Sequence, residues 1–280
     1  MAEQPMYRRI ADDLLAGIES GALAHGAQLP TELELRDQYR ASRNTIRDAL
    51  KWLMNRGLVE TRPGQGTFVV EKIDPFVTTL SAELDTGFGG EGTAYASEVR
   101  ARHRKPATSI PRVEVQHATG VIASELQLDE GSQVVSRHQQ RNIDGTPYSL
   151  QTTFYPERHV DQGATNLIQA SDMPEGVVSY LQKALHIKQV GWRDRITVRA
   201  PNANEAAFFK LPDDGRVAMF EIFQTGFDQE ARPIRLTVSV YPTDRNQFAI
   251  NVGQVPDEAL NAPLLESPTA ATESPPECSS

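Results

Sequence analysis

Three short apolar stripes at helical spacing, followed at once by two β-branched runs around a glycine/proline tip, crowd into the first seventy residues of this 280-residue chain. Tyr7, Ile10, Ala11, Leu14, Leu15 and Ile18 make one stripe, which predicts a first helix ended by Ser20-Gly21. Thr31 and Glu34 have capping-box spacing and open a second helix carrying Leu35 and Tyr39. Ser42 can cap a third, with Ile46, Leu50 and Leu53 turned inward and Gly57 as its left-handed stop. Residues 58–61 and 67–70 then flank Arg62-Pro63-Gly64-Gln65-Gly66, which predicts a hairpin. Helices this short must pack on one another and on the hairpin. Three of them and a hairpin in this order describe a winged helix-turn-helix.

Charge points to a use for that unit. The chain carries a net −9, yet residues 40–62 hold six basic side chains (Arg40, Arg43, Arg47, Lys51, Arg56, Arg62) against the acids Asp48 and Glu60. A basic island in an acidic chain suggests a directed contact with a polyanion, although a solvated helix face has the same composition. Arg43, Arg47 and Lys51 stand four residues apart on the third helix, on a face roughly 110° from its apolar stripe. One side can pack while the next projects guanidinium groups suited to guanine edges and phosphates. Asn44 and Thr45 lie at the helix start, where a recognition helix meets bases, and Gln65 and Gly66 at the hairpin tip could let backbone approach a groove.

The remainder reads differently. Gly87, Gly89, Gly90 and Gly92 lack the following Lys-Ser or Lys-Thr of a phosphate loop, so this glycine stretch reads as linker or mobile loop. From about residue 111 the pattern is mostly β, with strand-like runs at 133–143, 148–155, 195–199, 217–227 and 233–242. Short helices are expected at 122–128 and 176–185. Two segments echo each other. Asp144-Gly145-Thr146-Pro147 leads to Tyr155-Pro156, and a turn ending at Pro233 leads to Tyr241-Pro242 at the same spacing, which suggests a duplicated helix-plus-hairpin unit in one antiparallel sheet. Along these strands Arg137, Gln139 and Arg141 share a face, as do Gln151, Thr153 and Tyr155, and Arg235, Thr237, Ser239 and Tyr241. Such faces could line a site for an anion or a polar small molecule, or be an ordinary solvated sheet face. Residues 256–280 have the composition of a disordered tail.

Other classes recede. The first residues have no apolar core for a secretory signal, and no apolar run is long enough to span a bilayer. Cys278 is the only cysteine, so neither a disulfide framework nor a cysteine-ligated zinc site is expected. The six histidines (25, 103, 117, 138, 159, 186) form no i, i+4 metal pair, and no Ser-His-Asp arrangement can be proposed from spacing. The expectation is a cytoplasmic protein without metal, cofactor or membrane partner, and not an enzyme.

At this point the residues reach a family. Tyr7-x-x-Ile10-Ala11, Leu29-Pro30-Thr31-Glu32, Ser42-Arg43-Asn44-Thr45-Ile46-Arg47, Gly57-Leu58-Val59 and Pro63-Gly64-Gln65-Gly66-Thr67-Phe68-Val69 resemble the GntR family of bacterial transcription regulators. The resemblance implies a homodimer on a palindromic operator of double-stranded DNA. It also implies that Arg43, Asn44, Thr45, Arg47 and Gly66 match DNA-contacting positions. Two positions depart from the pattern: Leu33 stands where the family often has arginine, and Arg40-Ala41 where Gly-Val is common.

The later part is similar to the UTRA effector-binding domain of the HutC subfamily, through Leu126-x-Leu128, Arg141, Asp144-Gly145-x-Pro147, Phe154-Tyr155-Pro156, Arg232-Pro233, Ser239-x-Tyr241 and Asp244-Arg245. The implied fold is α+β, a winged helix-turn-helix followed by an antiparallel-sheet, chorismate-lyase-like domain. The expected boundaries are a DNA-binding head at 1–72, a linker at 73–92, an effector domain at 93–250 and a tail at 251–280. Arg137, Gln139, Arg141, Gln151, Arg235 and Tyr241 become the candidate effector-binding residues, Arg141 and Tyr241 because they match ligand-lining positions. Sugar-phosphate-responsive relatives carry acids at or near Gln151 and Arg235, so the resemblance implies a more anionic, or simply different, effector here. The combined expectation is a ligand-responsive transcription repressor. The alternatives are a DNA-binding regulator without an effector, and a chorismate-lyase-like enzyme fused to a DNA-binding head.

Overall fold

The computed structural model describes residues 4–70, 73, 75–80, 93–173, 175–212, 215–251 and 254–256, and divides into two compact units, Met1–Asp74 and Pro75–Ser280.

In the first unit α1 (Met6–Glu19), α2 (Glu32–Tyr39) and α3 (Arg43–Asn55) precede a hairpin of β1 (Val59–Arg62) and β2 (Gly66–Val69). The predicted stripes meet in one core: Ile10, Leu14 and Ile18 from α1, Leu35 from α2, Ile46, Leu50 and Leu53 from α3, and Val59 and Val69 from the hairpin. Thr31 and Glu34 make the expected capping box, and the Ser42 hydroxyl accepts from the Thr45 amide at 3.1 Å. Residues 27–29 lie along β2, with Leu29 donating to the Thr67 carbonyl and Val69 to that of Ala27, which ties the wing to the helices. The turn between α2 and α3 is reached through Arg40 at φ 50°, ψ 42°. This left-handed conformation explains why glycine is favoured there, since a Cβ crowds the following carbonyl.

The second unit runs β3 (Phe76–Leu80), α4 (Thr93–Ala101), β4 (Pro106–Thr108), β5 (Arg112–His117), α5 (Val121–Leu126), β6 (Gln133–Ile143), β7 (Thr146–Pro156), α6 (Arg158–Asp161), a 3₁₀ turn (Thr165–Ile168), α7 (Val177–Leu185), β8 (Gln189–Arg199), α8 (Ala203–Phe209), β9 (Met219–Asp228), β10 (Pro233–Pro242) and β11 (Asn246–Ile250). Seven strands form one antiparallel sheet in the order β4-β6-β7-β10-β9-β8, with β5 sharing the β6 edge with β4. The two echoing hairpins are β6–β7 and β9–β10, joined at the centre by β7 and β10.

The repeat extends further than the sequence suggests. Each hairpin is preceded by a helix and, before that, by the strand that pairs outside it: β5-α5-β6-β7 and β8-α8-β9-β10. The central register pairs Thr152 with Val238. The offset that carries Pro147 to Pro233 carries Thr152 to Val238, so the two copies face each other across a local two-fold axis. On one face of the sheet Val134, Phe154, Leu236 and Val238 pack under α5, and Leu150, Met219 and Val240 under Phe208 and Phe209 of α8. Glu125 of α5, almost fully buried, receives Arg193, Arg195 and Thr225, pinning the helix to β8 and β9.

Several sequence expectations change. The stretch read as linker at 73–92 includes β3, which pairs in parallel with β11, and residues 71–110 also contain α4 and β4. The glycines at 87, 89, 90 and 92 lie outside the described residues, as do 257–280 of the expected tail. The eighth strand begins at Gln189, six residues before the predicted start, because Val190-Gly191-Trp192 lacks the alternation of a half-buried strand. Helix α8 has no long apolar stripe and is set by the capping box of Asn202 and Glu205.

Because Arg40 holds a left-handed conformation, Arg40→Gly is expected to stabilise the first unit by about 0.5–1 kcal/mol, the relief at Cβ being partly offset by glycine's greater freedom when unfolded. Urea unfolding followed by the fluorescence of Trp52 checks this. A lower midpoint would contradict the conformational argument.

Candidate nucleic-acid interface and effector site

Capping by Ser42 sets the start of α3, and with it the direction of the basic face. Arg43 and Arg47 are largely exposed, and each Nε donates to one oxygen of Glu32 at 3.1 Å. Glu32 is the first residue of α2, so one carboxylate fastens the two guanidiniums side by side across the helix-turn-helix. The two arginines outweigh the desolvation of Glu32 and hold its carboxyl below the usual range. A pair held this way presents two parallel donor forks and can exchange a surface carboxylate for a phosphate or base edge at little cost, because exposed ion pairs are weak. Asn44 is exposed, and the Thr45 hydroxyl lies 2.8 Å from that of Ser42. Lys51 is exposed two turns beyond Arg43. Beyond it, Trp52 lies between the guanidiniums of Arg8 and Arg56, at 4.0 and 4.1 Å.

The wing tip is built for close approach. Gly66 has φ +120°, and a Cβ there would lie 2.6 Å from Gln28 Nε2, which itself donates to the Gln65 carbonyl at 2.7 Å. Conformation requires glycine here; the space is contested only by the end of the flexible Gln28 side chain. Gln65 is thereby fixed by its backbone while its side chain stays exposed. Sequence reasoning missed Glu32 and Gln28. Glu32 could have been found only from its place at the start of α2, 11 and 15 residues before the two arginines of α3, whereas Gln28 carries no signal outside the folded wing. Leu33 is 60% exposed, so α2 presents an apolar side chain where a basic one is common.

In the second unit the polar faces of β6, β7 and β10 coincide. The register aligns Arg137, Thr153, Thr237, Gln224 and Asp194 in one row across five strands, and Gln139, Gln151 and Ser239 in the next. Arg141 and Tyr241 follow one step further along β6 and β10. Every one of these side chains except Asp194 is buried, so this is an interior polar surface rather than a solvated sheet face.

Its members are not equivalent. Arg137 donates to the carbonyls of Leu167, Gln169 and Ser171, all within 2.9 Å, and so clamps the segment after the 3₁₀ turn onto the sheet. Arg235 is tied to Gln189, Thr237 and Gln224 at 2.7–2.9 Å. Arg141 lies 4.8 Å from the centre of the Tyr95 ring of α4. Burial pushes the phenols of Tyr95 and Tyr241 up, with Arg141 opposing, so both remain protonated donors. Gln139 reaches the Ser109 carbonyl at 3.3 Å, and Gln151 the Thr153 hydroxyl at 3.3 Å. Oε1 of Gln151 and Oδ1 of Asp194 are buried with no hydrogen-bond partner among the described residues. Burial raises the Asp194 carboxyl above its ordinary range, against the nearby Gln224 amide and the Trp192 indole N–H, which donates to it at 3.1 Å. Buried acceptors of this kind cost about 1–3 kcal/mol each unless satisfied. Sequence reasoning missed Asp194 and Gln224, because β8 and β9 reach the row only through pairing.

Tyr241 leads out of this surface. Its ring meets that of Phe248 edge-on at 5.1 Å, and Phe248 sits on β11, the strand paired with β3. β3 begins directly after the boundary between the two units.

Comparison with known proteins agrees with this anatomy. The family of bacterial regulatory proteins named gntR matches residues 6–69, and the UTRA domain matches residues 101–247. The HTH-type transcriptional regulator GgaR of Escherichia coli K12 is 27% identical over 245 residues, covering 87% of this chain and 90% of that protein. The mannosyl-D-glycerate transport/metabolism system repressor MngR of the same organism is 28% identical over 157 residues, 56% of this chain and 60% of that protein. A crystal structure of a GntR-family transcriptional regulator superposes with a TM-score of 0.58 at 26% identity, over 90% of this chain and 99% of that one. That of PhnF from Mycobacterium smegmatis, at 23% identity and a TM-score of 0.52 over 89% of this chain and 99% of that one, shares the fold. No helix among the described residues is long and apolar enough to cross a membrane. With a gntR-type helix-turn-helix at one end and a UTRA domain spanning half its length, the chain belongs to the GntR family of DNA-binding transcriptional regulators, in its HutC/UTRA arrangement.

Proposed function

We propose that this chain acts as a homodimeric repressor, without enzymatic activity, whose grip on a palindromic operator is loosened by a small polar anion bound on the interior face of the second unit. Two copies related by a two-fold axis would set their α3 helices in major grooves about 34 Å apart, one turn of duplex. In each copy Arg43 and Arg47 leave Glu32 for base edges or phosphates, Asn44 and Thr45 meet bases at the helix start, Lys51 holds the backbone, and Gln65 and Gly66 enter the neighbouring groove. The name of MngR supports repression.

The observation that carries the effector reading is the row from Arg137 to Asp194, which keeps buried donors (Arg137 Nε, Gln224 Nε2) as well as acceptors without hydrogen-bond partners among the described residues. Three arginines (137, 141, 235) face one aspartate, which favours an anion. Arg141, Gln139, Gln151 and Tyr241 would touch it, while Arg137 and Arg235, already committed to protein acceptors, hold the surface in shape. The anion must bind one arrangement of the heads more tightly than the other, or it shifts nothing. Tyr241, Phe248 and the β11–β3 pair supply the path by which a contact on the sheet reaches the chain leading to the head.

Arg43→Ala and Arg47→Ala are each expected to weaken operator binding about ten- to hundred-fold and to lower the slope of log affinity against log salt by about 1. Fluorescence anisotropy over a salt series measures both, and unchanged affinity in the two variants would defeat the reading of α3. Phosphorylated and carboxylated metabolites that raise the melting temperature of the chain are expected to release the operator. Gln151→Leu should abolish the thermal shift. Phe248→Ala should keep it and lose the release; if Phe248→Ala releases DNA normally, the signal takes another path.

A further inference from the structure

The internal two-fold axis invites a comparison of what each repeat places at matching points. The offset that relates Pro147 to Pro233 also relates His159 to Arg245, and both residues are almost fully buried. Helices α5 and α8 end alike, on the left-handed residues Gln127 (φ 51°) and Lys210 (φ 53°). In the second repeat the Arg245 guanidinium fills the space between the end of α8 and the opposite hairpin, donating to the carbonyls of Phe209 and Pro147 at 3.2 Å. In the first repeat the shorter His159 reaches only the Ile234 carbonyl, at 3.2 Å, and the carbonyl of Pro233, the counterpart of Pro147, is met instead from the rim by Arg158 at 3.3 Å. The volume that Arg245 occupies in one repeat is therefore open in the other.

What remains is a cleft of about 300 Å³, at the lower end of small-molecule sites. Its walls divide by chemistry. Leu126, Ile187, Pro233 and Ile234 line it with apolar side chains, Gln127 and Gln162 add amides, and the exposed Arg158 and Arg232 bring two guanidiniums. Asp228, buried beneath, is spent on Arg232 at 2.9 Å and on the amides of Glu230 and Arg232. Burial and the charge of Arg158 push the His159 imidazole down to about 4, so it adds no charge near neutrality. Arg232 is bridged by Asp228 and, beside the cleft, by Glu230 at 2.7 Å, which leaves Arg158 as the guanidinium without a carboxylate partner among the described residues. The charge of Arg158 is disfavoured by partial burial and by Arg232 nearby. An anion between the two arginines would relieve that repulsion.

We infer that this cleft is a second ligand site, separate from the polar sheet face, for a small monocarboxylate with a flat apolar body. The carboxylate lies between Arg158 and Arg232 at the mouth, and the apolar body takes the space against Leu126, Ile187 and Ile234 that Arg245 fills in the other repeat. Charge chooses against the alternatives: a cation would meet Arg158, which has no carboxylate partner among the described residues, and a polyphosphate would meet the carboxylates of Asp228 and Glu230 already held on Arg232.

The test is calorimetric titration of the full chain with benzoate, with benzylamine and benzamide as cationic and neutral partners of the same shape. Saturable benzoate binding is expected, with no binding of benzylamine and about ten-fold weaker binding of benzamide, the scale of one charged hydrogen bond. Arg158→Gln, at an exposed position, should weaken benzoate binding about ten-fold with an unchanged melting temperature. His159→Arg, which copies the other repeat, should block it. Gln151→Leu, on the sheet face, should leave it intact. Absence of benzoate binding below about 10 mM, equal binding by Arg158→Gln, preference for benzylamine, or loss of binding in Gln151→Leu would each overturn the inference.

Discussion

The pairing of β7 with β10 is the contact on which the second unit depends. It joins two strand–helix–hairpin repeats at Thr152 and Val238, and from that one register every later juxtaposition follows. Because side chains alternate along a strand, the register decides which residues share a face, and a slip of one position would send the arginines to the α5 side and the apolar residues inward. Thr153 against Thr237, their hydroxyls 3.1 Å apart, lies at the middle of the polar row. The rest of the row is assembled outward from there.

A sheet that buries both faces ordinarily buries apolar side chains on both. Here one face follows the rule, and the other does so only at one end, where Val135 and Tyr155 pack with Val177 and Leu181 of α7. Arginines and glutamines in such numbers would be expensive without partners, and most have them: the three carbonyls on Arg137, the hydroxyl and amide oxygens on Arg235. The acceptors left over on Gln151 and Asp194 have no partner among the described residues. The two repeats have also diverged in a way their common plan makes visible, since Arg245 closes in one the space that His159 leaves open in the other.

The first unit rests on a different economy. Its core is small and ordinary, and its working surface is held by weak exposed pairs. Glu32 keeps Arg43 and Arg47 together without burying either, so their guanidiniums are already aligned and have less side-chain entropy left to lose in any further contact. The wing achieves the same end by backbone, with Gln28 fixing the carbonyl of Gln65 and Gly66 leaving no side chain in the way.

Much of this was legible in the order of residues. Helical stripes, the caps at Thr31 and Ser42, the basic face of α3 and the glycine tip are local signals, set by neighbours within four or five positions, and the family resemblance rests on the same short stretches. The hairpins at 133–156 and 219–242 were legible for the same reason, through alternation and turn chemistry. Tertiary structure alone decided the rest. β3 is too short and too plain to announce a partner in β11, far along the chain. Asp194 joins Arg137 only because three intervening strands bring them into one row. That Arg137 is a clamp while Gln151 keeps a free oxygen depends on which carbonyls the fold carries within reach. Local sequence sets conformation; the meeting of distant side chains is set by register, and register belongs to the whole sheet.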